Sequence, residues 1–459
     1  MWRYGHALVT NGSQPHKVLI GLYFFPRGGS AHVARNLASA LPAAGWEATV
    51  LSGSVRPDGD AREFYAGLDL HSVDMTGALD APDPILADPP LHASYEERPG
   101  AADRWMASLS DADLAHQVDA WARALLEAGA READVLHLHH LTPLNAAAAL
   151  VAPDVPVVGH LHGTELLMLE QLDPGHPWRR RMGEWARRCE RIVLLSDSQA
   201  ARVEPLLGID ADRCERIPNG FEPAAFDLRP GFDRAAHWRR HLVESPKGRS
   251  PSGLVAYSAD EVEGAFAAGN PVLLYVGRFT AVKRLALLIE AHAQAAKSFV
   301  ARAPLVILGG FPGEWEGEHP ADTIDRLGAR DVFLAGWHGH DELPAFLNAS
   351  DAIVLPSVRE QFGQVLVEGM ACGLCAVAVD AHGPGEIVED GVTGWLVEAD
   401  DLPGLSRALI EVVNRPQERR RRSLAARADA RARYAWPALA ERVAGLYEQA
   451  GAATVRSRI

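Results

Sequence analysis

The chain has no uninterrupted apolar run near the ~18–20 residues that a bilayer-spanning helix needs, so a membrane-spanning protein is not expected. Its opening, M-W-R-Y-G-H-A-L-V-T-N-G-S-Q, lacks the long apolar core of a secretory leader, and a cytoplasmic location is the expectation. Cysteine is scarce: 4 in 459 residues make no disulfide framework. Cys372 and Cys375 form a C-x2-C, but a structural zinc site asks for two further ligands at similar spacing. Neither Cys189 nor Cys214 has a close Cys or His partner, so the pair reads as small buried residues at a helix end. Positive charge is in deficit, with 45 Lys and Arg against 60 Asp and Glu and a net charge of −15. That balance argues against general binding of nucleic acid or anionic membranes. There is no G-x-G-x-x-G, which lowers a dinucleotide reading.

What is present is ordinary in bulk. The length allows two or three domains, and a 47% hydrophobic content is typical of a globular chain. The apolar run at 352–355 reads as a buried parallel strand. It opens through P-S-V-R-E-Q-F-G into a helix with Val365, Leu366, Met370 and Ala371 at helical spacing. Phe362 and Gly363 lie where that helix begins, where unpaired backbone N–H groups point outward and can hold a phosphate or a sugar hydroxyl. Glu360 sits in the turn and Glu368 eight positions on. The first carboxylate suits adjacent sugar hydroxyls and the second the paired hydroxyls of a ribose. Against this stands the plainer reading of a dipole-favoured acid at a helix start and a solvated acid inside it.

Other stretches repeat the strand, turn, helix theme. Residues 18–25 (V-L-I-G-L-Y-F-F) form a strand, followed by Gly28-Gly29 and a helix with Val33, Leu37 and Leu41 on one face, ending near Gly45. The glycines allow close approach of a ligand, or simply make a tight turn. Residues 47–51 are a second strand, and 113–128 a helix. From 53 to 99 the pattern weakens, and the segment 80–100 reads as a long ordered loop, where His92, Tyr95, Glu96, Glu97 and Arg98 either touch a ligand or face solvent. The strand 135–140 (V-L-H-L-H-H) puts His137 and His139 on one face and His140 on the other. Without nearby carboxylates these histidines read as packed or loop residues. The strand 155–160 runs into L-H-G-T-E at 161–165. Residues 176–190, basic with two Trp, read as a solvated helix, with a membrane-surface helix as the alternative. Residues 221–269 are poorly periodic and read as an insertion without chemistry. The strand 271–277 leads to R-F-T-A-V-K-R, whose Arg278 and Lys283 suit phosphate oxygens. Trp337, in Gly336-Trp337-His338 after a strand at 331–335, either stacks on a base or packs. The basic run 419–422 is a solvated face. D-x-D at Asp111–Asp113 and Asp210–Asp212 lies in helix-start or turn contexts and is not read as a metal site.

The stretch R-E-Q-F-G-Q-V-L-V-E-G-M-A-C-G, followed by G-P-G-E-I-V-E-D-G-V-T-G-W-L-V, closely resembles the E-x7-E signature of the retaining family-4 glycosyltransferases. It is similar to the group that includes inositol-phosphate N-acetylglucosaminyltransferases and sucrose-phosphate synthases. It departs from the commonest pattern at Gln361, Gln364 and Cys375, and Arg284 stands where Gly is usual. Since Gln361 and Gln364 flank the expected sugar pocket, the donor sugar stays open.

The resemblance implies the α/β GT-B fold: two Rossmann-like, doubly wound parallel-sheet domains facing across a cleft. It implies an N-terminal acceptor domain at 1–218 and a donor domain at 219–433 containing the 221–269 insertion. A last helix, 434–459, would cross back. Transfer would run from a UDP- or GDP-sugar to a small polar acceptor such as a cyclitol, without metal or other cofactor. The catalytic residues implied are His162 of the H-G-T element, Arg278, Lys283 and Glu360. The donor would also meet Gly28, Gly29, Trp337, Gln361, Phe362, Gly363, Gln364 and Glu368. The acceptor would meet His139, His140, Thr164 and Tyr95. No nucleic acid or membrane partner is expected, and a homodimer is left open. Two other classes stand as alternatives: a nucleotide-sugar epimerase of the same fold, which would turn over donor alone, and a binding protein without turnover.

Overall fold

The computed structural model describes residues 15–26, 28–57, 59–97, 101–311 and 315–457, with side chains to 452. The leader reading and Arg98 fall outside them. The chain divides into two compact units: residues 1–193, 203–215 and 440–459 form unit 1, and 194–202 and 216–439 form unit 2. No helix among the described residues is long and apolar enough to cross a membrane.

Unit 1 is built on seven strands, β1 (His16–Leu22), β2 (Trp46–Ser54), β3 (Asp69–Asp74), β4 (Val135–His139), β5 (Val157–His160), β6 (Arg191–Leu194) and β7 (Cys214–Arg216). They lie in the order β3-β2-β1-β4-β5-β6-β7. The pairs from β3 to β6 are parallel. Val18, Leu19, Ile20 and Leu22 of β1 are all sealed from solvent, as befits a strand covered on both faces. The helix Asp111–Glu127 begins with a capping box in which Ser110 and Asp113 each bond the other's backbone N–H. That accounts for the Asp111–Asp113 pattern as a helix start. In the helix Pro177–Arg188 both Trp178 and Trp185 are buried, so its apolar face is spent on the core of unit 1.

In the stretch 53–99, where the pattern weakens, the structure adds the short helix Ala61–Phe64 and β3, in register with β2 over six residues, while 81–97 is loop with one short turn at Pro84–Leu86. β3 (D-L-H-S-V-D) is an edge strand with no buried residue, so it carries no apolar alternation to read.

Unit 2 has a two-stranded hairpin, β8 (Arg249–Ser250) and β9 (Gly253–Leu254), and a six-stranded sheet. The sheet comprises β10 (Leu273–Gly277), β11 (Leu305–Gly309), β12 (Val332–Gly336), β13 (Ala352–Leu355), β14 (Cys375–Val379) and β15 (Gly394–Val397). Their order is β12-β11-β10-β13-β14-β15, with every pair parallel. Cys372 and Cys375 are both buried.

Two readings change here. Residues 221–269 are no insertion: Phe221, Phe226, Trp238, Leu242, Val262 and Phe266 belong to the core of this unit. Arg234 also pairs with Asp351 and donates its Nε–H to the Ala349 carbonyl at 2.9 Å. In the run 419–422, Arg422 is 9% exposed; its guanidinium lies 3.9 Å over the Trp395 ring and donates to the Gly394 carbonyl at 2.5 Å. Only part of that run is a solvated face.

In each sheet the strand order reverses beside its first strand, between β1 and β4 in one and between β10 and β13 in the other. Ligands of doubly wound sheets bind outside the carboxyl ends of strands at such a switch point.

Candidate active site

At the switch point of unit 2, β10 ends at Gly277. Arg278 follows, exposed, with no carboxylate paired to its guanidinium among the described residues. The turn Ala281–Lys283 is tied to the segment after β13. The Val358 N–H donates to the Val282 carbonyl at 3.0 Å and the Ser357 hydroxyl donates to the same oxygen at 3.3 Å. That tie brings Lys283 against Glu360, where Nζ donates to Oε2 in a half-buried ion pair. Arg284, left-handed at φ 55°, pairs with Asp400 through Nε at 2.6 Å.

The helix Gln364–Ala371 starts at Gly363, which has φ 102° and needs glycine for it; no side chain caps this N-terminus. The Glu360 loop is held down from above. The Gly383 N–H donates to the Glu360 carbonyl at 3.3 Å, and a Cβ at Gly383 would sit 2.2 Å from the Phe362 carbonyl oxygen. Gly383→Ala is therefore expected to cost about 1–3 kcal/mol through overpacking and to lower the melting temperature of the full chain. A variant that melts with the parent would remove this close approach as a constraint.

Glu368 is buried. Its Oε1 faces His340 Nε2 at 2.8 Å and accepts from Gln364 Nε2 at 3.1 Å, while Oε2 has no hydrogen-bond partner among the described residues. Gln364 Nε2 also donates to the Gly220 carbonyl at 2.9 Å. Gln361 Oε1 accepts from Arg202 at 3.4 Å.

At the switch point of unit 1, Gly28 and Gly29 open the helix Gly29–Ala40 with no side-chain cap. A Cβ on either would meet no atom of the described residues within 4 Å. Beside them, β4 and β5 align His139 with His160, and four imidazoles gather on one face as two layers. His137 Nε2 and His160 Nδ1 are 3.2 Å apart, and His139 Nδ1 and His162 Nε2 are 2.8 Å apart. The layers stack: His137 on His139 at 4.9 Å and 3°, His160 on His162 at 4.6 Å and 10°. His137 Nδ1 meets the Tyr447 hydroxyl at 2.6 Å. Burial drives the His137 imidazolium down to about 3, and burial followed by neighbouring imidazoles holds His139, His160 and His162 well below the usual range. All four are neutral rings at pH 7.

His137, His139 and His160 come near enough to suggest a metal triad. Ring lone pairs lie in the ring planes, however, and parallel stacked rings do not aim at one ion. In the second such cluster, Lys247 Nζ already stands 3.2 Å from Glu342 and 3.3 Å from His338.

Burial would raise Glu165, but His140 and its hydrogen bonds, among them the His162 backbone N–H at 2.9 Å, outweigh that and hold it below the usual carboxylate range. His140 departs from strand alternation. Its backbone is left-handed at φ 67°, and its ring packs 4.5 Å from His162 rather than pointing to the opposite face.

Two family models match the chain, "Glycosyltransferase Family 4" over residues 27–225 and "Glycosyl transferases group 1" over 258–429. The alpha-D-kanosaminyltransferase of Streptomyces kanamyceticus is 31% identical over 305 residues, covering 65% of this chain and 71% of that one. The chain belongs to glycosyltransferase family 4. The D-inositol 3-phosphate glycosyltransferase of Stackebrandtia nassauensis is 29% identical over 367 residues, covering 74% and 75%. Among solved structures, Anabaena Alr3699/HepE in complex with UDP-glucose superposes with a TM-score of 0.66 at 20% identity, over 94% of this chain and 99% of that one. Sucrose-phosphate synthase from Thermosynechococcus elongatus gives 0.64 at 19% identity, over 95% and 100%. The fold is GT-B, and the chain is a glycosyltransferase.

Within this glycosyltransferase the residues singled out from sequence fall into three groups. In unit 2, Arg278, Lys283, Glu360, Gln361, Gly363, Gln364 and Glu368 lie on the segments that follow β10 and β13. In unit 1, His139 ends β4, and Gly28, Gly29, His140, His162 and Thr164 lie on the segments that follow β1, β4 and β5; the Thr164 hydroxyl donates to Glu165 Oε2 at 3.3 Å. The third group, Tyr95, Phe362 and Trp337, makes ring or hydroxyl contacts within the protein. Tyr95 is buried with its hydroxyl donating to the Leu141 carbonyl at 2.7 Å, so its polar end is spent within the protein. Phe362 is 5% exposed and meets Tyr434 edge-on at 5.9 Å. Trp337 is 52% exposed and touches Phe311 edge-on at 5.5 Å, leaving most of its surface open. His160 and His340 were not singled out. His340 carried no local signal, while His160 could have been found from its place one residue pair before the H-G-T element.

Proposed function

We propose that this glycosyltransferase moves a glycosyl group from a nucleotide-diphosphate sugar to a small polar acceptor, with retention at the anomeric carbon. The observation that carries the reading is the grouping at one switch point of Lys283, Glu360, the uncapped helix start at Gly363 and the unspent Oε2 of Glu368. Negative charge grows on the departing diphosphate. Arg278, Lys283 and the amides of Gly28 and Gly29 supply fixed positive character, which is electrostatic catalysis. Glu360 accepts hydrogen bonds from the sugar hydroxyls and Glu368 Oε2 from the ribose. Among the described residues no side chain offers itself as a nucleophile, so the acceptor oxygen attacks from the face the diphosphate leaves. The new C1–O bond forms as the old one breaks, and the leaving phosphate takes the acceptor proton. The reaction proceeds without a metal or other cofactor, in the cytoplasm.

The donor we favour is a UDP-sugar, supported by the solved relative that carries UDP-glucose, with a GDP-sugar as its competitor. The acceptor is a cyclitol or aminocyclitol, a reading supported by relatives named for D-inositol 3-phosphate. Thermal melting with UDP, GDP and ADP, each with and without EDTA, tests it. UDP at saturation is expected to raise the melting temperature by several degrees, more than GDP or ADP at the same concentration, because stabilisation of the folded state grows with the logarithm of ligand concentration over Kd. EDTA should leave that shift unchanged. No shift with any of the three would overturn the reading.

A further inference from the structure

His162 Nε2 is committed to His139 Nδ1 at 2.8 Å, in a site where both rings are neutral. Two neutral imidazoles joined this way share one hydrogen, and its owner decides what His162 can do at its other nitrogen. If His162 Nε2 carried it, the hydrogen of His139 would sit on Nε2. That atom is buried and has no hydrogen-bond partner among the described residues, so a sealed N–H there would be left unpaired. If His139 Nδ1 carries it, His139 Nε2 is a bare lone pair. An orphaned buried donor is the rarer and costlier arrangement. His162 then holds its own hydrogen on Nδ1, which, unlike His139 Nε2, is not among the sealed atoms that lack a partner, on a ring that is 9% exposed.

We propose that His139 is a positioning residue that fixes His162 as its Nδ1–H tautomer, so that His162 acts as a hydrogen-bond donor to an oxygen of the sugar nucleotide and not as a base. Its aim is fixed from two sides. The His160 ring stacks under it at 4.6 Å, and Glu165 Oε1 holds its backbone N–H at 2.9 Å. The donor role rests on the proposed function, while the tautomer claim stands without it. A His162 that cannot accept leaves the acceptor proton to the departing phosphate.

The test uses the full chain labelled with 15N-histidine, reading the ring nitrogens by long-range 1H–15N NMR at pH 7.5, with His162→Ala to assign the signal. The expected result is a protonated Nδ1 and a bare Nε2 at His162; a protonated Nε2 overturns the proposal whatever the activity. UDP release from UDP-glucose gives the second readout. His139→Leu, which removes the donor, is expected to lower it about 10- to 100-fold and to mix the His162 tautomers. His139→Asn, which offers an amide N–H in place of Nδ1, should restore both to within a few-fold of the parent. Equal impairment of the two variants with an unchanged tautomer would make His139 merely structural and overturn the positioning role. If His162→Ala releases UDP like the parent while the tautomer is as stated, the donor reading fails and the pairing survives.

Discussion

Lys283→Ala is expected to lower kcat/KM about 30- to 1,000-fold, a loss of ~2–4 kcal/mol of transition-state stabilisation. The ammonium is a compact charge whose proposed task is to meet the diphosphate as negative charge builds on it, so the loss should fall mainly on kcat. In the ligand-free chain this charge is not idle, because Nζ is bonded to Glu360 Oε2 with both side chains mostly shielded. Removing the lysine also leaves a half-buried carboxylate without its partner. The same pairing gives a prediction of opposite sign. Glu360→Gln releases Lys283 from its internal partner, so UDP alone should bind more tightly while turnover falls, since the sugar loses its acceptor. Calorimetric titration of UDP into the two variants, beside initial rates with a UDP-sugar, reads both. If Lys283→Ala turns over like the parent, the lysine leaves the mechanism. If Glu360→Gln binds UDP more weakly, the ion pair does not compete with the ligand.

What the sequence made legible follows from how parallel sheets are built. β1, β4, β10 and β13 are covered on both faces, so each reads as a short apolar run. The polar residues that follow each run are then placed at a carboxyl end by topology alone. That is why Gly28, His139, Arg278 and Glu360 could be singled out from one chain. β3 was lost for the converse reason, since an edge strand with no buried residue needs no apolar pattern. The stretch 221–269 misled differently. Its buried residues Phe226, Trp238, Leu242 and Phe266 are spaced irregularly over short elements rich in Arg and His, and no single period links them. The histidine layers show the limit most sharply. Strand alternation places His137 and His139 on one face, but their ring partners His160 and His162 come from β5 and the turn after it, and register between strands is a tertiary fact. The short bond that gives Glu368 its His340 partner is equally non-local, spanning 28 residues.

Acidification should unfold this glycosyltransferase from unit 1. His137 binds a proton near pH 3 in the folded chain against an ordinary 6.5, so between those values the unfolded chain holds more protons. Stability is then full above pH ~6.5 and falls as the pH drops toward 3. At pH 5, about 1.5 units below the unfolded value, His137 alone accounts for ~2 kcal/mol. His139, His160 and His162 are shifted in the same direction by burial and steepen the loss. A first proton in the stack also repels a second. Glu165 adds nothing in this window but acts with the same sign lower down. Its folded value is held below 4.5, so its contribution is intact above that pH and is lost beneath it. Urea unfolding of the full chain at pH 7.5, 6.0 and 5.0 measures the slope, and His137→Asn should flatten it even where it lowers stability overall. Equal midpoints at the three pH values would mean that the buried rings take up protons without opening the sheet, and the neutral stacked array would have to be abandoned.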